Sequence, residues 1–276
     1  MSKGKISILG GGSPFNPTLL SEIVKRGETF RDWRVSLMDP GLEKAEVVAE
    51  TGKELARRRE LPLDFSATTS PEESLEGADF VLIAYRIGGP EATEVDHAIP
   101  TEYGIVGDET TGPGGTFMAQ YTIPPTLNYC ESVRDICPEA WIISYANPAS
   151  HIADAVRREY GDLNFISICD TFAGFSMEFL PQILDMPPYH RNYNVSDDIK
   201  PRAIGVNHFT WLIDLLLEGE DGYPELRRRI KDADPKGEKH FPERDLEFQK
   251  TLIDTYGYAA IAPSHCRMYW MHDWAL

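Results

Sequence analysis

The stretch that decides the fold is Lys5-Ile6-Ser7-Ile8-Leu9-Gly10-Gly11-Gly12-Ser13. Its first five residues, rich in β-branched and apolar side chains, predict a short strand. Three glycines follow at once, and apolar residues at helical spacing continue from Leu19 to Val24. A strand, a glycine turn and a helix in this order are typical of a dinucleotide-binding unit.

Strands and helices alternate beyond this stretch. Further strands are predicted at residues 34–38, 80–85, 141–145 and 165–168. Helices are predicted at about 43–59, from Ser70-Pro71-Glu72-Glu73, and from about Thr116 with an interruption at Pro124-Pro125. We therefore predict the α/β class, with a Rossmann-type doubly wound parallel sheet in residues 1–170 and a mixed α/β second domain in residues 171–276.

Composition and charge narrow the class of protein. The 276 residues are 42% hydrophobic and carry a formal net charge of −17. Such a charge repels nucleic acids and anionic membrane surfaces, and the sequence has no apolar run long enough to span a membrane. Four cysteines without a CxxC pair predict reduced thiols and a cytoplasmic protein.

The glycine turn is the first candidate site. Gly10, Gly11, Gly12 and Ser13 would let a pyrophosphate approach the backbone and the start of a helix. Asp39, at the end of the second strand, would accept a hydrogen bond from a ribose hydroxyl and favour NAD over NADP. The fingerprint is incomplete, because Phe15 stands where the third glycine is expected, and the structural alternative is a tight turn that binds nothing.

Polar residues near the predicted strand ends form further candidates. Glu109 lies in the glycine-rich segment 107–115, Asn147 precedes Pro148, and Cys169-Asp170 ends a strand. Asn207-His208 interrupts the apolar, strand-like run 203–217. Each has a structural alternative: a flexible connector, a turn, a small buried thiol and a core histidine. A Cys169 thiolate and a His208 imidazole converging on one metal ion would leave positions open for a substrate.

Together these residues resemble glycoside hydrolase family 4, the NAD- and divalent-metal-dependent glycosidases. The resemblance rests on segments 8–13, 76–81, 86–89, 107–115, 147–148 and 205–211, together with Cys169. It implies a fold like that of lactate and malate dehydrogenases and chemistry outside the usual carboxylate pair. It also implies transient oxidation at C3 of the sugar by NAD, metal-assisted removal of the C2 proton, elimination, addition of water and return of the hydride.

The resemblance assigns roles by position. Cys169 and His208 are the expected ligands of a metal ion, usually manganese. Asp170 is the expected general acid, and His265 is the expected C2 base, with Tyr269 as the second candidate. Gly10, Gly11, Gly12, Ser13, Asp39 and Arg86 are assigned to the cofactor, and Glu109, Asn147 and Asn207 to the substrate.

Two departures from the family pattern bear on function. Thr93 stands where many members carry a phosphate-gripping arginine, so a sugar 6-phosphate would meet Glu91, Glu94 and Asp96 with no cation. We therefore expect an unphosphorylated glycoside, with glucoside, galactoside and uronide all open and with Arg86 or Arg267 as the cation for a uronide. Family members also continue well beyond residue 276. The chain is therefore expected to be either a fragment with an incomplete second domain or a shortened relative with a rebuilt active site.

A homo-oligomer, dimeric or tetrameric, is expected from the resemblance. Two other functions stay open at this point. One is an NAD-dependent dehydrogenase of a hydroxy acid or sugar, and the other is an NAD-binding fragment without turnover.

Overall fold

The computed structural model describes residues 4–110, 112–186, 199–206, 208–234 and 243–270, with the backbone alone at 243, 244 and 267–270. The chain divides into two compact units, Met1–Ile168 and Cys169–Leu276. Among the described residues no helix combines the length and the apolarity that a membrane crossing needs.

The first unit is built on a six-stranded parallel sheet in the order β3-β2-β1-β4-β5-β6. Its strands are β1 (Lys5–Leu9), β2 (Arg34–Met38), β3 (Asp64–Thr68), β4 (Phe80–Ile83), β5 (Trp141–Ser144) and β6 (Asn164–Ser167). The order reverses direction at β1 and β4, which is the place where doubly wound sheets bind ligands beyond the carboxyl ends of their strands.

Helices connect these strands. They are α1 (Asn16–Lys25), α2 (Leu42–Arg58), α3 (Pro71–Leu75), α4 (Gly89–Glu102), α5 (Gly112–Ile136) and α6 (Ala149–Glu159). The predicted start of α3 is confirmed: the Ser70 hydroxyl accepts a hydrogen bond from the Glu73 N–H at 3.1 Å, and Pro71 is the first helical residue. Strand β3 and helices α4 and α6 were not predicted.

The sheet has an apolar core on each face, which is why its central strand reads as a continuous apolar run. Ile8 packs with residues of α1 and α2 on one side, whereas Leu9 packs with residues of α3, α5 and α6 on the other. Both side chains are fully buried. The glycine turn after β1 is therefore fixed from both sides of the sheet.

Helix α5 differs from its prediction. It begins at Gly112 rather than near Thr116, and it continues through Pro124 and Pro125 to Ile136. Proline removes one backbone hydrogen bond of a helix and usually breaks it. Here Pro124 lies on the exposed side, where water can solvate the freed carbonyl group, and the buried side packs against the sheet.

The second unit contains a small antiparallel sheet in the order β10-β8-β7, with β9 paired to β8. Its strands are β7 (Ile199–Val206), β8 (Phe209–Leu217), β9 (Glu220–Asp221) and β10 (Ala259–Ala260). Its helices are α7 (Thr171–Gly174), a π-helical stretch (Phe175–Phe179), α8 (Leu180–Ile183), α9 (Tyr223–Asp232), α10 (Glu243–Tyr256) and α11 (Pro263–Trp270).

The prediction of one strand-like run over residues 203–217 is wrong. The run is a β-hairpin in which Val206 pairs with Phe209 and His208 lies in the turn before the second strand. Gly205 has a φ of 138°, and a Cβ there would lie 2.2 Å from the Phe209 carbonyl oxygen, so only glycine lets the strands approach this closely. His208 therefore stands at the tip of a hairpin and not in the middle of a strand.

Candidate functional site

The glycine turn is tightly packed against its own sheet. A Cβ on Gly10, Gly11 or Gly12 would lie 2.8, 2.7 or 2.6 Å from atoms of Tyr85, Leu37 and Lys44, respectively. The N–H groups of Gly10 and Gly11 both donate to the Met38 carbonyl, at 2.9 and 2.7 Å. These three glycines are thus required by packing within the protein. The sequence analysis had explained them only by the approach of a ligand to the backbone.

Two polar side chains hold this turn. Asp39 Oδ2 accepts from the Gly12 N–H and its Oδ1 accepts from the Gly41 N–H, both at 2.9 Å. Asn16, which is 1% exposed, donates from Nδ2 to the carbonyls of Gly10 and Gly11 at 2.9 and 2.8 Å. Asn16 was missed in the sequence, because a single asparagine at a helix start is ordinary.

The donor set of this turn fits a dinucleotide. A carboxylate offers about four lone pairs, so after its two backbone bonds Asp39 still has acceptor capacity for the diol of a ribose. The Phe15 N–H has only a long contact of 3.5 Å with Ser13 Oγ, so this amide and the Ser13 hydroxyl remain the donors for a phosphate group at the start of α1.

A second polar cluster lies in the same unit. Glu109 joins Arg86, through an ion pair with Oε2, to Asn147, whose Nδ2 donates to Oε1 at 2.7 Å. The sequence assigned Arg86 to the cofactor and the other two residues to the substrate, and the structure places all three in one hydrogen-bonded group. The side-chain exposure of Glu109 is 25% and that of Arg86 is 38%, so the group is open to a ligand.

The predicted surroundings of Thr93 need two corrections. Asp96 does not face a ligand, because it is buried and accepts a hydrogen bond from the Tyr121 hydroxyl. Burial and this bond raise the pKa of Tyr121 to about 12, so it stays a donor. The expectation that a sugar 6-phosphate would meet no cation near Thr93 is also wrong, since Arg86 Nη1 lies 2.9 Å from Thr93 Oγ1.

In the second unit, Cys169 and His208 lie together. Cys169 Sγ is 3.3 Å from His208 Nε2, although 39 residues separate them along the chain. Cys169 is exposed and begins the unit just before α7, whereas His208 is 7% exposed at the hairpin tip. The two predicted metal ligands are thus neighbours.

Helix α11 supports the hairpin tip. The Cys266 thiol donates to the His208 carbonyl at 3.4 Å, and burial raises the pKa of this thiol to about 11, which keeps its proton in place. The His265 ring lies against the His208 ring with 4.0 Å between their centroids. The expected base is therefore adjacent to one expected metal ligand.

A sulfur and a nitrogen 3.3 Å apart fit a single metal ion. An ion about 2.3 Å from the sulfur and about 2.1 Å from the nitrogen separates the two by about 3.1–3.6 Å at ordinary ligand angles. Among the described residues no cluster of three or more His, Cys, Asp or Glu side chains has the arrangement of a metal site. An ion on this pair would keep several positions open for water or substrate oxygens.

The remaining predicted residues are placed as follows. Asp170 is exposed at the start of α7, with Oδ1 3.9 Å from Cys169 Sγ. Tyr269 lies in α11, but its side chain is outside the described part of the chain, as are Asn207 and the side chain of Arg267. Sequence reasoning also missed Thr171 and Cys266, which contact Cys169 and His208, respectively, without belonging to any recognised motif.

Comparison with known proteins identifies the relatives of this chain. Residues 5–186 match the model of the family 4 glycosyl hydrolases, and residues 203–273 match the model of their C-terminal domain. An alpha-glucosidase of Erwinia rhapontici is 36% identical over 83% of this chain and 49% of its own length. The chain spans about half the length of the curated relatives it matches.

Solved structures agree with this result. A 6-phospho-alpha-glucosidase from gut microorganisms, solved in complex with NAD and Mn²⁺, superposes with a TM-score of 0.83 at 27% identity over 99% of this chain and 62% of its own. The malate dehydrogenase of Picrophilus torridus, at 16% identity and a TM-score of 0.59 over 95% of this chain and 72% of its own, shares the fold alone. The predicted fold class is confirmed.

Asn16 offers a test of how the glycine turn is held. Asn16→Leu keeps the side-chain size but removes the N–H groups that donate to the Gly10 and Gly11 carbonyls. The loss of these hydrogen bonds at buried oxygens is expected to lower the free energy of unfolding by about 2 kcal/mol. We expect hydrogen exchange in β1 and β2, followed by mass spectrometry, to accelerate about 30-fold. Asn128→Leu, on the exposed side of α5, is the matched control. Equal exchange in the two variants would refute the role of Asn16.

Cobalt(II) tests whether Cys169 and His208 bind a metal ion, because it binds thiolate and imidazole ligands. Its bond to a thiolate gives a charge-transfer absorption. We expect this absorption in the wild-type chain and its loss in Cys169→Ala. His208→Ala is expected to weaken cobalt binding strongly. Cys137→Ala, at a buried thiol in the first unit, is the matched control and is expected to retain the absorption. Unchanged absorption in Cys169→Ala would contradict the assignment.

Proposed function

Because the chain belongs to family 4 of the glycosyl hydrolases, we propose that it cleaves an unphosphorylated glycoside with NAD and a divalent metal ion, manganese in the first instance, as cofactors. The observation that carries this proposal is the 3.3 Å approach of Cys169 Sγ to His208 Nε2. We assign the cofactor to the first unit and the metal ion to the second. The dimer or tetramer expected from the family stays a prediction.

The cofactors supply chemistry that the side chains lack. When bound, NAD takes up and returns a hydride at C3 of the sugar, and the metal ion polarises the C3 carbonyl so that the C2 proton becomes acidic. The protein's part is to bind and orient these groups and to move protons at stated positions. Cleavage by elimination and addition of water then needs no pair of catalytic carboxylates.

In the first unit, we assign binding and orientation. Asp39 accepts from the ribose diol of NAD, and the start of α1 receives the phosphate groups. The group formed by Arg86, Glu109 and Asn147 offers one cation, one carboxylate and one amide, which suit the hydroxyl groups of a sugar. Glu109 already bonds both partners, so a hydroxyl that joins the group finds its orientation fixed.

In the second unit, we assign proton transfer and metal binding. Cys169 and His208 hold the ion, and the exposed Asp170 carboxylic acid protonates the leaving oxygen of the glycoside. His265 removes the C2 proton, since its ring is next to that of His208. Tyr269 is the second candidate for this base, because it lies on the same helix, α11.

The preference for an unphosphorylated sugar rests on charge. The fourteen residues of α4 include Glu91 and Glu94 on the exposed side and no lysine or arginine. Arg86, the cation next to Thr93, is paired with Glu109 and so is largely neutralised. A phosphate dianion would have to displace that pair, whereas a neutral hydroxymethyl group would not. Several relatives are named 6-phospho-glucosidases, so the assay compares a glucoside directly with its 6-phosphate.

One set of assays tests the proposal. The 276-residue chain is incubated in D₂O with aryl glucosides, galactosides and galacturonides and with the corresponding aryl glucoside 6-phosphate, with and without NAD and Mn²⁺. We expect hydrolysis only when both cofactors are present, deuterium at C2 of the released sugar, and no accumulation of NADH. We expect the unphosphorylated glucoside to react at least about tenfold faster than its 6-phosphate, a free-energy difference of about 1.4 kcal/mol.

Other outcomes point elsewhere. Net NADH production with a hydroxy acid or free sugar would identify a dehydrogenase. Binding of NAD without turnover of any substrate would identify a non-catalytic binding protein. Faster reaction of the 6-phosphate would refute the charge argument at Thr93 but leave the glycosidase proposal standing.

A further inference from the structure

Thr171 is the polar residue nearest to the Cys169 sulfur among the described residues. Its Oγ1 lies 3.0 Å from Cys169 Sγ, closer than His208 Nε2 at 3.3 Å or Asp170 Oδ1 at 3.9 Å. Thr171 is half-buried and is the first residue of α7. The position of its hydroxyl is therefore set by the start of a helix, while the sulfur it contacts belongs to an exposed side chain.

The contact constrains a side chain that is exposed to solvent. An exposed cysteine can place its sulfur in any of three staggered positions around the Cα–Cβ bond. In the structure the sulfur takes the position that faces both Thr171 Oγ1 and His208 Nε2. The hairpin and the Cys266 thiol fix the backbone of His208, and its buried ring packs against the ring of His265, whereas Cys169 is exposed. The orientation of Cys169 is therefore the freer of the two.

We propose that Thr171 is a positioning residue whose hydroxyl donates a hydrogen bond to Cys169 Sγ and holds this sulfur toward the metal ion. The inference rests on the proposed function, because it concerns the metal ion assigned there. A metal-bound thiolate has no proton, so in that state the hydroxyl is the donor of the pair and the sulfur is the acceptor. The donated bond also draws electron density from the sulfur and thereby tunes its bond to the metal.

The test compares variants that differ in the hydroxyl group. Thr171→Val keeps the branched shape and removes the donor, whereas Thr171→Ser keeps the donor and removes a methyl group. Partners of metal ligands typically change affinity 10- to 100-fold, so we expect Thr171→Val to bind cobalt(II) about tenfold or more weakly. Its thiolate-to-cobalt absorption is expected at longer wavelength, since an unbonded sulfur gives up its electron more easily. Thr171→Ser is expected to restore both values.

A matched control and a second pair of variants separate this role from packing. Thr251→Val in α10 removes a hydroxyl that bonds the Glu247 carbonyl at 3.1 Å, and it is expected to leave cobalt binding unchanged. Circular dichroism checks that each variant is folded. If Thr171→Val does not fold, Thr171→Ala and Thr171→Ser provide the same comparison of absent and present hydroxyl.

The outcomes are distinct. Unchanged affinity and absorption in Thr171→Val would overturn the inference and leave the metal site intact. Weaker binding that Thr171→Ser does not restore would also overturn it, because the methyl group would then account for the effect. A wild-type chain without any thiolate-to-cobalt absorption would refute the metal assignment itself, and the inference with it.

Discussion

The pairing of Val206 with Phe209 is the constraint on which the approach of His208 to Cys169 depends. It puts His208 at the tip of a hairpin, where its Nε2 lies 3.3 Å from Cys169 Sγ. Backbone pairing along both strands and the Cys266 thiol on the His208 carbonyl fix the backbone of His208, and the His265 ring packs against its imidazole. A histidine with a fixed backbone and a buried ring would lose little freedom on binding an ion, which is the kind of support that a precise metal site needs.

The backbone of the glycine turn in the first unit is likewise held by hydrogen bonds. Asp39 accepts a hydrogen bond from a backbone N–H group of the turn, and Asn16 donates hydrogen bonds to two of its carbonyl groups. The turn is thus rigid before any ligand arrives, and the binding of a dinucleotide would not have to order it. The glycine turn and the hairpin tip both contain buried polar groups. Burial of a polar group costs free energy unless the group is hydrogen-bonded.

Much of the first unit was predictable because its strands are short and largely apolar, and because glycine or aspartate adjoins β1, β2 and β4. Strands β1 and β2 begin and end where the sequence predicts, and the Ser70 cap is as expected. The hairpin was missed because Asn-His lacks the glycine of a typical two-residue turn and apolar residues continue on both sides. The interruption predicted in α5 did not occur, since packing of its buried side outweighs the loss of hydrogen bonds at two prolines.

The residues of the candidate site were also predictable only in part. Cys169 and His208 could be named through the family resemblance, but their proximity depends on how distant segments fold together. Asp96 was misplaced because a row of acidic residues does not reveal which side of a helix is buried. Thr171 and Cys266 carry no motif, and only their contacts identify them.

The central claim is that Cys169 and His208 bind one metal ion. Diffraction from crystals grown with Mn²⁺, measured on both sides of the manganese absorption edge, locates manganese directly. The account predicts an anomalous peak within bonding distance of both Cys169 Sγ and His208 Nε2. A fully occupied peak elsewhere, with none at this pair, would contradict it.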